Sequence, residues 1–307
     1  MQNTVLVIGS EGQIGTELCE ALGADQTRVI RADIKLETAP EIGQYHLDAS
    51  DKEALRRIVE EQRIDTIYLM AAMLSATAEK FPEKAWNLNM QSLLNVLDLA
   101  KEKRISKVFW PSSIAIFGPD TPKINTPQET VINPITVYGI SKRAGELWCA
   151  YYHQVHGVDV RSLRYPGIIS HRTAPGGGTT DYAVEIFSEA NRNRHYRSFI
   201  EAGTTTPMIF MSDAIEATLA LMNADPKRIS IRSSYNLGGL GISPESLALQ
   251  IKKHLPDFEI SYAPDFRQKI ALSWPESIDD RHARNDWGYR IAVDIDSLVS
   301  TMLTHCH

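Results

Sequence analysis

Short, continuous runs of β-branched and aliphatic residues alternate with longer segments of helical periodicity through the first half of the chain. The runs predict buried strands, and the segments between them predict helices. The strand ranges are Val5–Ile8, Arg28–Ala32, Thr66–Met70, Val108–Pro111 and Val158–Leu163, and the helix ranges are Ile14–Leu22, Lys52–Gln62, Ala85–Glu102 and Tyr138–His156. Strands without polar alternation are buried on both faces, so the pattern indicates an α/β fold built on a doubly wound parallel sheet.

The pattern loosens after Ser170, where stretches rich in Pro or Gly occur at Thr173–Gly178 and Gly203–Pro207. Regularity returns in the helical segment Asp213–Asn223 and the strand-like segment Ser234–Leu237. We therefore expect two unequal parts. They are a Rossmann domain over residues 1–170 that also recovers about 207–238, and a smaller discontinuous C-terminal substrate lobe over 171–206 and 239–307. Ligands of such sheets bind beyond the carboxyl ends of the strands.

Composition narrows the classes of function. The chain has 307 residues, a formal net charge of −6 and no basic block, which argues against a nucleic-acid partner. It has no run of 18 apolar residues, so no membrane span is expected. Cys19, Cys149 and Cys306 form neither a disulfide framework nor a zinc pattern, and the terminal "HCH" is interpreted as a frayed tail, so no metal is expected. The start "MQNTVLVIGSEG" lacks the features of a signal peptide, and a cytoplasmic location fits.

A glycine-rich turn joins the first predicted strand to the first helix. The stretch "VLVIGSEGQIG" places Gly9, Gly12 and Gly15 in a GxxGxxG spacing, with Gln13 and Ile14 at the helix start. Glycine allows a tight turn and lets the backbone approach a pyrophosphate, which meets the free N–H groups and positive dipole end of the helix. The context predicts a dinucleotide site rather than an ordinary glycine turn.

Two acidic residues follow strands near this turn. Asp33 ends the second strand, 18 residues past Gly15, where a carboxylate can accept hydrogen bonds from ribose hydroxyls and repel a 2′-phosphate. It therefore favours NAD over NADP, although a helix N-cap or a solvated acid explains the same residue. Asp48, with its neighbour Ala49, follows "YHL" and is placed to reach the adenine amino group.

The segment "VYGISKRAGE" carries Tyr138 and Lys142 four residues apart, hence on one face of a predicted helix. A nearby ammonium lowers the pKa of a tyrosine and makes it a usable base. Ser112 and Ser113 end the preceding strand, where a hydroxyl can hold a substrate alcohol against the tyrosine. A surface tyrosine beside a solvated lysine is the alternative, and this context favours the catalytic interpretation.

These motifs together resemble the short-chain dehydrogenase/reductase superfamily of the extended type, which includes nucleotide-sugar 4-epimerases. The resemblance covers the glycine turn, Asp33, "LMAA" (Leu69–Ala72), Asn89, "PSS" and the Tyr138/Lys142 pair. It implies a nicotinamide beside Tyr138 with its ribose on Lys142, and it gives Ser113 the usual serine/threonine position. It also implies that Asn89 supports a proton relay, unless its amide bonds the backbone. Cofactor contacts are implied at Met70, Ala71, Ala72, Tyr165, Pro166 and Ile168.

A narrower resemblance, to the epimerase-like L-threonine 3-dehydrogenases, lies in "MAAMLSATAE" (Met70–Glu79), "RYPGIISHRTAPGGGTTDYAVEIF" and "SWPESIDD". It implies NAD-dependent oxidation of L-threonine to 2-amino-3-oxobutyrate, which loses CO2 to give aminoacetone or is cleaved by a partner CoA ligase. Phe117 stands where epimerases commonly have tyrosine, a difference that is neutral for threonine oxidation. The resemblance also implies a homodimer formed through the helices of Asn89 and Tyr138. The apolar stretch Asn89–Ala100 permits this dimer, or equally packs within one subunit.

A small zwitterion needs donors for its carboxylate and an acceptor for its ammonium. The candidates are Leu74, Ser75 and Thr77 on one side, and Gly178, Thr179, Thr180 and Asp181 on the other. We expect the threonine hydroxyls to bind the carboxylate and Asp181 to bind the ammonium, although Thr180–Asp181 also suits a helix N-cap. Residues 176–181 are interpreted as a lid, and His171–Arg172 as a solvated loop pair. A nucleotide-sugar epimerase or dehydratase, and a non-catalytic NAD sensor, are the competing readings.

Overall fold

A parallel sheet of seven strands forms the centre of the computed structural model, which describes residues 3–25, 27–172 and 176–306. In chain order its strands are β1 (Thr4–Ile8), β2 (Arg28–Asp33), β3 (Gln44–His46), β4 (Thr66–Leu69), β5 (Lys107–Ser113), β6 (Asp159–Tyr165) and β10 (Tyr235–Asn236). Their order across the sheet is β3-β2-β1-β4-β5-β6-β10, and every pair is parallel. The expected doubly wound α/β fold is confirmed. The strand β3 was not expected because three residues carry too little periodicity.

Helices cover both faces of this sheet. They are α1 (Gln13–Ala24), α2 (Lys52–Gln62), α3 (Ser75–Lys80), α4 (Pro82–Lys101), α5 (Val137–His156) and α7 (Met211–Asn223). Leu6 and Ile8 of β1 belong to an apolar cluster with residues of α2 and α4, whereas Val5 and Val7 belong to a second cluster with α1 and α7. Successive strand side chains point to opposite faces, so an unbroken apolar strand fills two cores.

The later part of the chain adds two small sheets. β7 (Gly167–Ile169), β9 (Thr206–Phe210) and β11 (Leu240–Ile242) form one, and β8 (His195–Ser198) pairs with β12 (Glu259–Tyr262) in the other. Their helices are α6 (Tyr182–Asn193), α8 (Pro244–Lys252), α9 (Phe266–Ser273), α10 (Arg281–Trp287) and α11 (Ile295–His305). Short 3-10 turns occur at Pro40–Ile42, Ile114–Ile116 and Pro226–Arg228. The expected domain boundaries stay a prediction. The structure shows in addition that β7 and β9 pair with each other in a small sheet.

A separate apolar cluster lies among α6, α8, α11 and the small sheets, so the later segments have a core of their own. The segments that follow β1, β4, β5 and β6 line a cleft at the carboxyl ends of these strands, together with residues of the later part of the chain. Over the described ranges, no helix combines the length and apolar character needed to cross a bilayer.

Candidate active site

The turn between β1 and α1 is shaped by glycines that no other residue could replace. Gly9 has a φ of +87°, and a Cβ on it would lie 2.5 Å from the Ala71 backbone nitrogen. A Cβ on Gly15 would lie 2.1 Å from the Gly9 carbonyl oxygen. Gly12 is the residue immediately before α1, and no side chain caps the N-terminus of that helix. Gln13 and Ile14 follow in the cleft wall, so the first turn offers N–H groups and a positive dipole end to an anion.

Asp33 is the last residue of β2, and backbone N–H groups from two neighbouring loops bind its carboxylate. Its Oδ2 accepts a hydrogen bond from the Glu11 N–H at 3.0 Å, and its Oδ1 accepts one from the Lys35 N–H at 3.0 Å. Each carboxylate oxygen retains a lone pair for a further donor. Asp33 therefore is fixed in orientation and still able to bind a hydroxyl.

The recess beside Asp33 collects the residues expected to hold an adenosine. Asp48 accepts hydrogen bonds from the Ser50 hydroxyl at 2.6 Å and the Ser50 N–H at 2.9 Å, and these bonds lower the pKa of its carboxyl. Sequence reasoning missed part of the apolar wall, which comes from residues without polar chemistry. The recess is lined by Asp33, Ile34, Lys35, Leu47, Asp48, Ala49, Met70, Ala71, Ala72 and Leu88, together with Ile8 and the glycine turn.

This recess adjoins a second cavity of about 220 Å³ at the ends of β5 and β6. The two share Gly9, Gly12, Met70 and Ala72 in their walls. The two cavities thus lie next to each other at the glycine turn, with Asp33 in the wall of one and Tyr138 in the wall of the other. That arrangement suits an extended dinucleotide whose pyrophosphate crosses the start of α1.

Tyr138 and Lys142 lie in the first turns of α5, which Thr136 caps through its hydroxyl oxygen and the Gly139 N–H at 3.0 Å. Lys142 is buried, and its Nζ donates a hydrogen bond to the Pro111 carbonyl oxygen at 2.5 Å. The same Nζ lies 5.5 Å from the centre of the Tyr138 ring. Ser113, at the end of β5, lines the same cavity wall as both residues.

The pKa values of this pair differ from the expectation. Burial raises the pKa of Tyr138 to about 12, and the hydrogen bond with the Ser113 hydroxyl opposes this only in part. Burial lowers the pKa of Lys142 to about 7. Burial thus has the larger effect on the pKa of Tyr138 in the free protein, and it acts against the lowering expected from Lys142. The assignment of Tyr138 as the base stays a prediction.

Beneath these residues lies a buried ionic network that sequence reasoning missed. Glu146 accepts hydrogen bonds from Arg164 Nε at 2.8 Å and Nη2 at 3.0 Å, and both side chains are almost completely buried. Ser112 donates its hydroxyl to Glu146 Oε1 at 2.7 Å. Ser112 also lines the cavity beside Ser113, so its substrate contact stays a prediction, with its hydroxyl proton donated to Glu146. Two features of the sequence could have indicated this network: the charged residue Arg164 inside a strand, and the acid Glu146 four residues beyond Lys142.

On the opposite side, the two groups of candidate substrate ligands meet across the cleft. Ser75, the first residue of α3, lies 3.2 Å from Thr179 between hydroxyl oxygens, and both residues are buried. Leu74, Gly178, Thr180 and Asp181 line the same cavity. Thr77 does not line it, and its hydroxyl instead lies against Gly177, where a Cβ would approach to 2.7 Å.

Asp181 organises the glycine run rather than capping a helix. It precedes α6, but its side chain makes no capping bond to that helix. Its Oδ2 instead accepts hydrogen bonds from the Gly177 and Gly178 N–H groups at 2.9 and 2.8 Å, and burial raises the pKa of its carboxyl. The lid interpretation of this run stays a prediction, and Thr173, Ala174 and Pro175 lie outside the described residues.

Other predicted residues have different surroundings. Asn89 does not line the cavity. Its Oδ1 accepts a hydrogen bond from the Met73 N–H at 2.9 Å, and its Nδ2 donates one to the Met73 carbonyl oxygen at 3.3 Å, which fits the backbone-bonding alternative. Tyr165 lines the cavity beside Pro166 and Ile168, although its phenol bonds Thr218 in the core. Arg172 pairs with Glu20 of α1 at 2.5 Å instead of facing the cleft. The frayed-tail prediction at "HCH" is wrong for its first two residues, because His305 ends α11 and Cys306 is buried with its carbonyl bound by Asn191 Nδ2 at 2.6 Å. His307 is outside the described residues.

Trp274, in the "SWPESIDD" motif, also lines the cavity, as do Pro111, Ile114 and Gly167. None of these was assigned to the site from sequence, because an apolar side chain distant in sequence carries no chemical signature. In the described parts of the chain, no cluster of three or more His, Cys, Asp or Glu side chains is arranged to hold a metal ion. The arrangement offers an anion-binding turn, a phenol–hydroxyl–amine group and a small polar recess.

Comparisons with known proteins agree with this geometry. The sequence model of the NAD dependent epimerase/dehydratase family matches residues 5–238. An uncharacterized epimerase/dehydratase of Staphylococcus saprophyticus is 46% identical over 97% of this chain and 95% of its own length. The solved GalE-like L-threonine dehydrogenase of Cupriavidus necator, in its holo form, is 50% identical with a TM-score of 0.95, covering 98% of this chain and 99% of that one. A solved partial consensus L-threonine 3-dehydrogenase is 51% identical with a TM-score of 0.95, covering 98% of each chain.

Proposed function

The chain belongs to the NAD dependent epimerase/dehydratase family, and from that premise we propose that it is an NAD-dependent L-threonine 3-dehydrogenase, which oxidises the 3-hydroxyl of L-threonine to give L-2-amino-3-oxobutyrate. The observation that carries the substrate is the similarity at 50% and 51% identity, over nearly the whole chain, to solved L-threonine dehydrogenases. It extends the resemblance found in the sequence motifs to the full fold.

The cleft fits NAD on structural grounds. The close approaches at Gly9 and Gly15 leave the backbone bare where a pyrophosphate crosses, and the uncapped start of α1 faces it. Asp33 is held by two backbone N–H groups with lone pairs to spare for the adenosine ribose hydroxyls. A 2′-phosphate would meet this carboxylate and be repelled, so we propose NAD rather than NADP. When bound, NAD supplies the hydride acceptor and a positive charge in the nicotinamide ring.

Tyr138 is the proposed base. Once Tyr138 has released its own proton, its phenolate accepts the proton of the substrate hydroxyl. Positive charge in the cleft favours that phenolate and offsets the burial that raises the pKa of Tyr138 to about 12. Ser113 holds the same hydroxyl and orients it toward Tyr138. Lys142, protonated or neutral, donates to the Pro111 carbonyl and leaves further N–H groups to hold a ribose near the tyrosine.

The amino-acid recess is proposed at the meeting point of α3 and the glycine run. Ser75 and Thr179 present hydroxyls 3.2 Å apart, and these suit a carboxylate. Thr180 lines the same wall, and Asp181 is the acid placed to receive the ammonium. The Gly178 backbone holds Asp181 in place through its N–H at 2.8 Å. Recognition of a zwitterion of this size needs both a donor pair and an acceptor within one small cavity.

The direct test is NADH formation by the purified protein, followed by absorbance, with L-threonine, D-threonine, L-allo-threonine and L-serine in parallel. We expect L-threonine to be the best substrate and serine a weak one. The control incubates the protein with UDP-sugars and searches for epimerised or dehydrated product. Turnover of a UDP-sugar without oxidation of L-threonine would replace this proposal with a nucleotide-sugar enzyme. Binding of NAD without any turnover would support the sensor reading.

A homodimer belongs to the same proposal. The apolar stretch Asn89–Ala100 of α4 is mostly buried within the subunit, so it serves the core. The exposed apolar surface lies instead on α5, where Ile140, Leu147, Tyr151 and Val155 follow one helix face and are each at least 46% exposed. We expect a dimer by analytical ultracentrifugation and a monomer for Leu147→Asp. A monomeric wild-type protein would contradict this part of the proposal.

The chemistry of the product indicates which kind of enzyme would act on it next. A 2-amino-3-oxo acid is prone to decarboxylation, so a partner 2-amino-3-oxobutyrate CoA ligase that cleaves it to glycine and acetyl-CoA is proposed as the functional link. All three cysteines are free and buried, which suits a reducing compartment, and we propose the cytoplasm. Coupled assays with such a ligase should divert product from aminoacetone to glycine.

A further inference from the structure

We propose that Trp274 sets the upper size limit for the substituent on carbon 3 of the substrate, and that it does so by walling the reacting cavity off from a second, outer pocket. The inference builds on the proposed oxidation of a 3-hydroxy amino acid. The observation behind it is that Trp274 lines both the cavity containing Tyr138 and an adjoining pocket of about 300 Å³. It is the one residue that the walls of these two spaces share among the described residues.

The indole borders the reacting end of the cavity. Trp274 packs in an apolar cluster with Ile114 and Ile278, and Tyr138 packs against the same cluster. The polar ligands Ser75, Thr179 and Asp181 belong to the glycine-run side of the cleft. A substrate that places its carboxylate and ammonium among those ligands and its hydroxyl on Tyr138 directs its remaining carbon substituent toward the apolar wall. A methyl group suits that wall.

The backbone around Trp274 is fixed, so the wall is a preformed feature. Trp274 follows the last residue of α9 and precedes Pro275, which favours its extended conformation of φ −90° and ψ 162°. Lys123 donates its Nζ to the Ser273 carbonyl oxygen at 2.7 Å. The Lys123 carbonyl in turn accepts a hydrogen bond from the Glu276 N–H at 2.8 Å. Lys123 thus forms hydrogen bonds with the backbone on both sides of Trp274.

The outer pocket has room for a larger group. Its remaining wall includes Lys123, Glu201, Thr204, Thr205, Leu272 and Glu276. Replacing the indole with a methyl group would connect this pocket with the reacting cavity. A bulky substituent on carbon 3 could then extend through the opening while the amino-acid end keeps its ligands. Preference between substrates that differ by one methylene in an apolar pocket changes by about 10- to 200-fold, so the effect is measurable.

The experiment compares kcat/KM for L-threonine, L-3-hydroxynorvaline and L-threo-3-phenylserine in the wild-type protein and in Trp274→Ala, Trp274→Phe and Leu272→Ala. Leu272 is the matched control, because it lines the outer pocket, is 58% exposed and does not line the reacting cavity. We expect Trp274→Ala to raise the phenylserine-to-threonine ratio at least tenfold. We expect Leu272→Ala to leave it within about twofold, since an exposed contact contributes little. With NADH bound, phenylserine should also raise the melting temperature of Trp274→Ala more than that of the wild type.

The outcomes separate the inference from the function on which it builds. A wild-type protein that binds NAD and oxidises no 3-hydroxy amino acid contradicts the proposed function. Turnover of L-threonine with the same phenylserine-to-threonine ratio in wild type and Trp274→Ala overturns the role of Trp274 alone. If Trp274→Ala fails to fold by circular dichroism, Trp274→Phe decides. Trp274→Phe should raise the ratio of kcat/KM for L-3-hydroxynorvaline to kcat/KM for L-threonine. If that ratio equals the wild-type ratio, the inference is overturned in the same way.

Discussion

Replacing Lys142 with methionine should make the stability of the protein less dependent on pH. Burial lowers the pKa of Lys142 to about 7 from its ordinary value of 10.5, which the amine regains in the unfolded chain. Between these values the unfolded chain binds a proton that the folded protein has released. The free energy of unfolding therefore rises with pH between about 7 and 10.5, and this contribution is lost as the pH falls back through that window to about 7.

The size of the effect follows from those two values. Each pH unit inside the window contributes about 1.4 kcal/mol, so the part of the window between about pH 7 and pH 9 contributes about 3 kcal/mol for one fully buried lysine. Cys149 and, to a smaller extent, Glu146 raise the pKa of Lys142 and oppose the effect of burial, and the value of about 7 already includes this opposition. Methionine keeps most of the buried stem and does not titrate. The lost hydrogen bond to the Pro111 carbonyl is available to both protonation states, so its loss shifts the stability curve without changing its slope.

Urea unfolding at about pH 6, 7.5 and 9 measures the difference between wild type and Lys142→Met, with the linear extrapolation applied to each protein. The control is Lys252→Met, which replaces an exposed lysine on α8. We expect the free energy of unfolding of the wild type, relative to that of Lys142→Met, to rise by about 2 to 3 kcal/mol from the lowest to the highest pH. A difference that stays constant within about 0.5 kcal/mol would refute the assignment of a neutralised lysine in the site.

The other predictions concern the cofactor and the base. Tyr138→Phe should bind NAD as tightly as the wild type by fluorescence titration, yet lower kcat by about 10²- to 10⁴-fold because the proton acceptor is gone; a loss below tenfold would remove Tyr138 from that role. Asp33→Ala should raise the KM for NAD and relax the rejection of NADP, and an unchanged NAD-to-NADP preference would contradict the ribose assignment. Gly15→Ala should abolish NAD binding, because its Cβ would lie 2.1 Å from the Gly9 carbonyl, whereas Gly23→Ala in the same helix meets no atom within 4 Å and should leave binding unchanged. Equal NAD affinities for these two variants would refute the steric argument.

Much of the cofactor half of the site could be predicted, because it depends on backbone features that leave strong local patterns. A strand, three spaced glycines and a helix specify where the turn must be, and an acid at the next strand end predicts where a ribose would bind. Tyr138 and Lys142 are likewise local, since residues four apart on a helix share a face. The short helix α3 (Ser75–Lys80) was missed because six residues give too few turns to show a period.

The properties that depend on tertiary burial could not be predicted. Ser112 differs from Ser113 only by one position in β5, yet alternation across the strand turns its hydroxyl to the buried Glu146. The pKa values of Tyr138 and Lys142 also depend on desolvation by distant segments, which no spacing reports. Proximity to Lys142 predicted a lower pKa for Tyr138, but burial of the phenol outweighs it.

The cost of burying Lys142 helps to identify the function of the cleft. A lysine buried in the fold destabilises the protein at and below neutral pH, and a methionine of similar length would avoid this penalty. The hydrogen bond from Lys142 to the Pro111 carbonyl offsets only a small part, since a neutral hydrogen bond contributes about 1 kcal/mol. Residues that reduce stability are expected where activity requires them. The same reasoning does not apply to Arg164 and Glu146, which neutralise each other at 2.8 Å. The burial of Lys142 without a paired carboxylate among the described residues therefore supports its proposed role in holding the cofactor ribose.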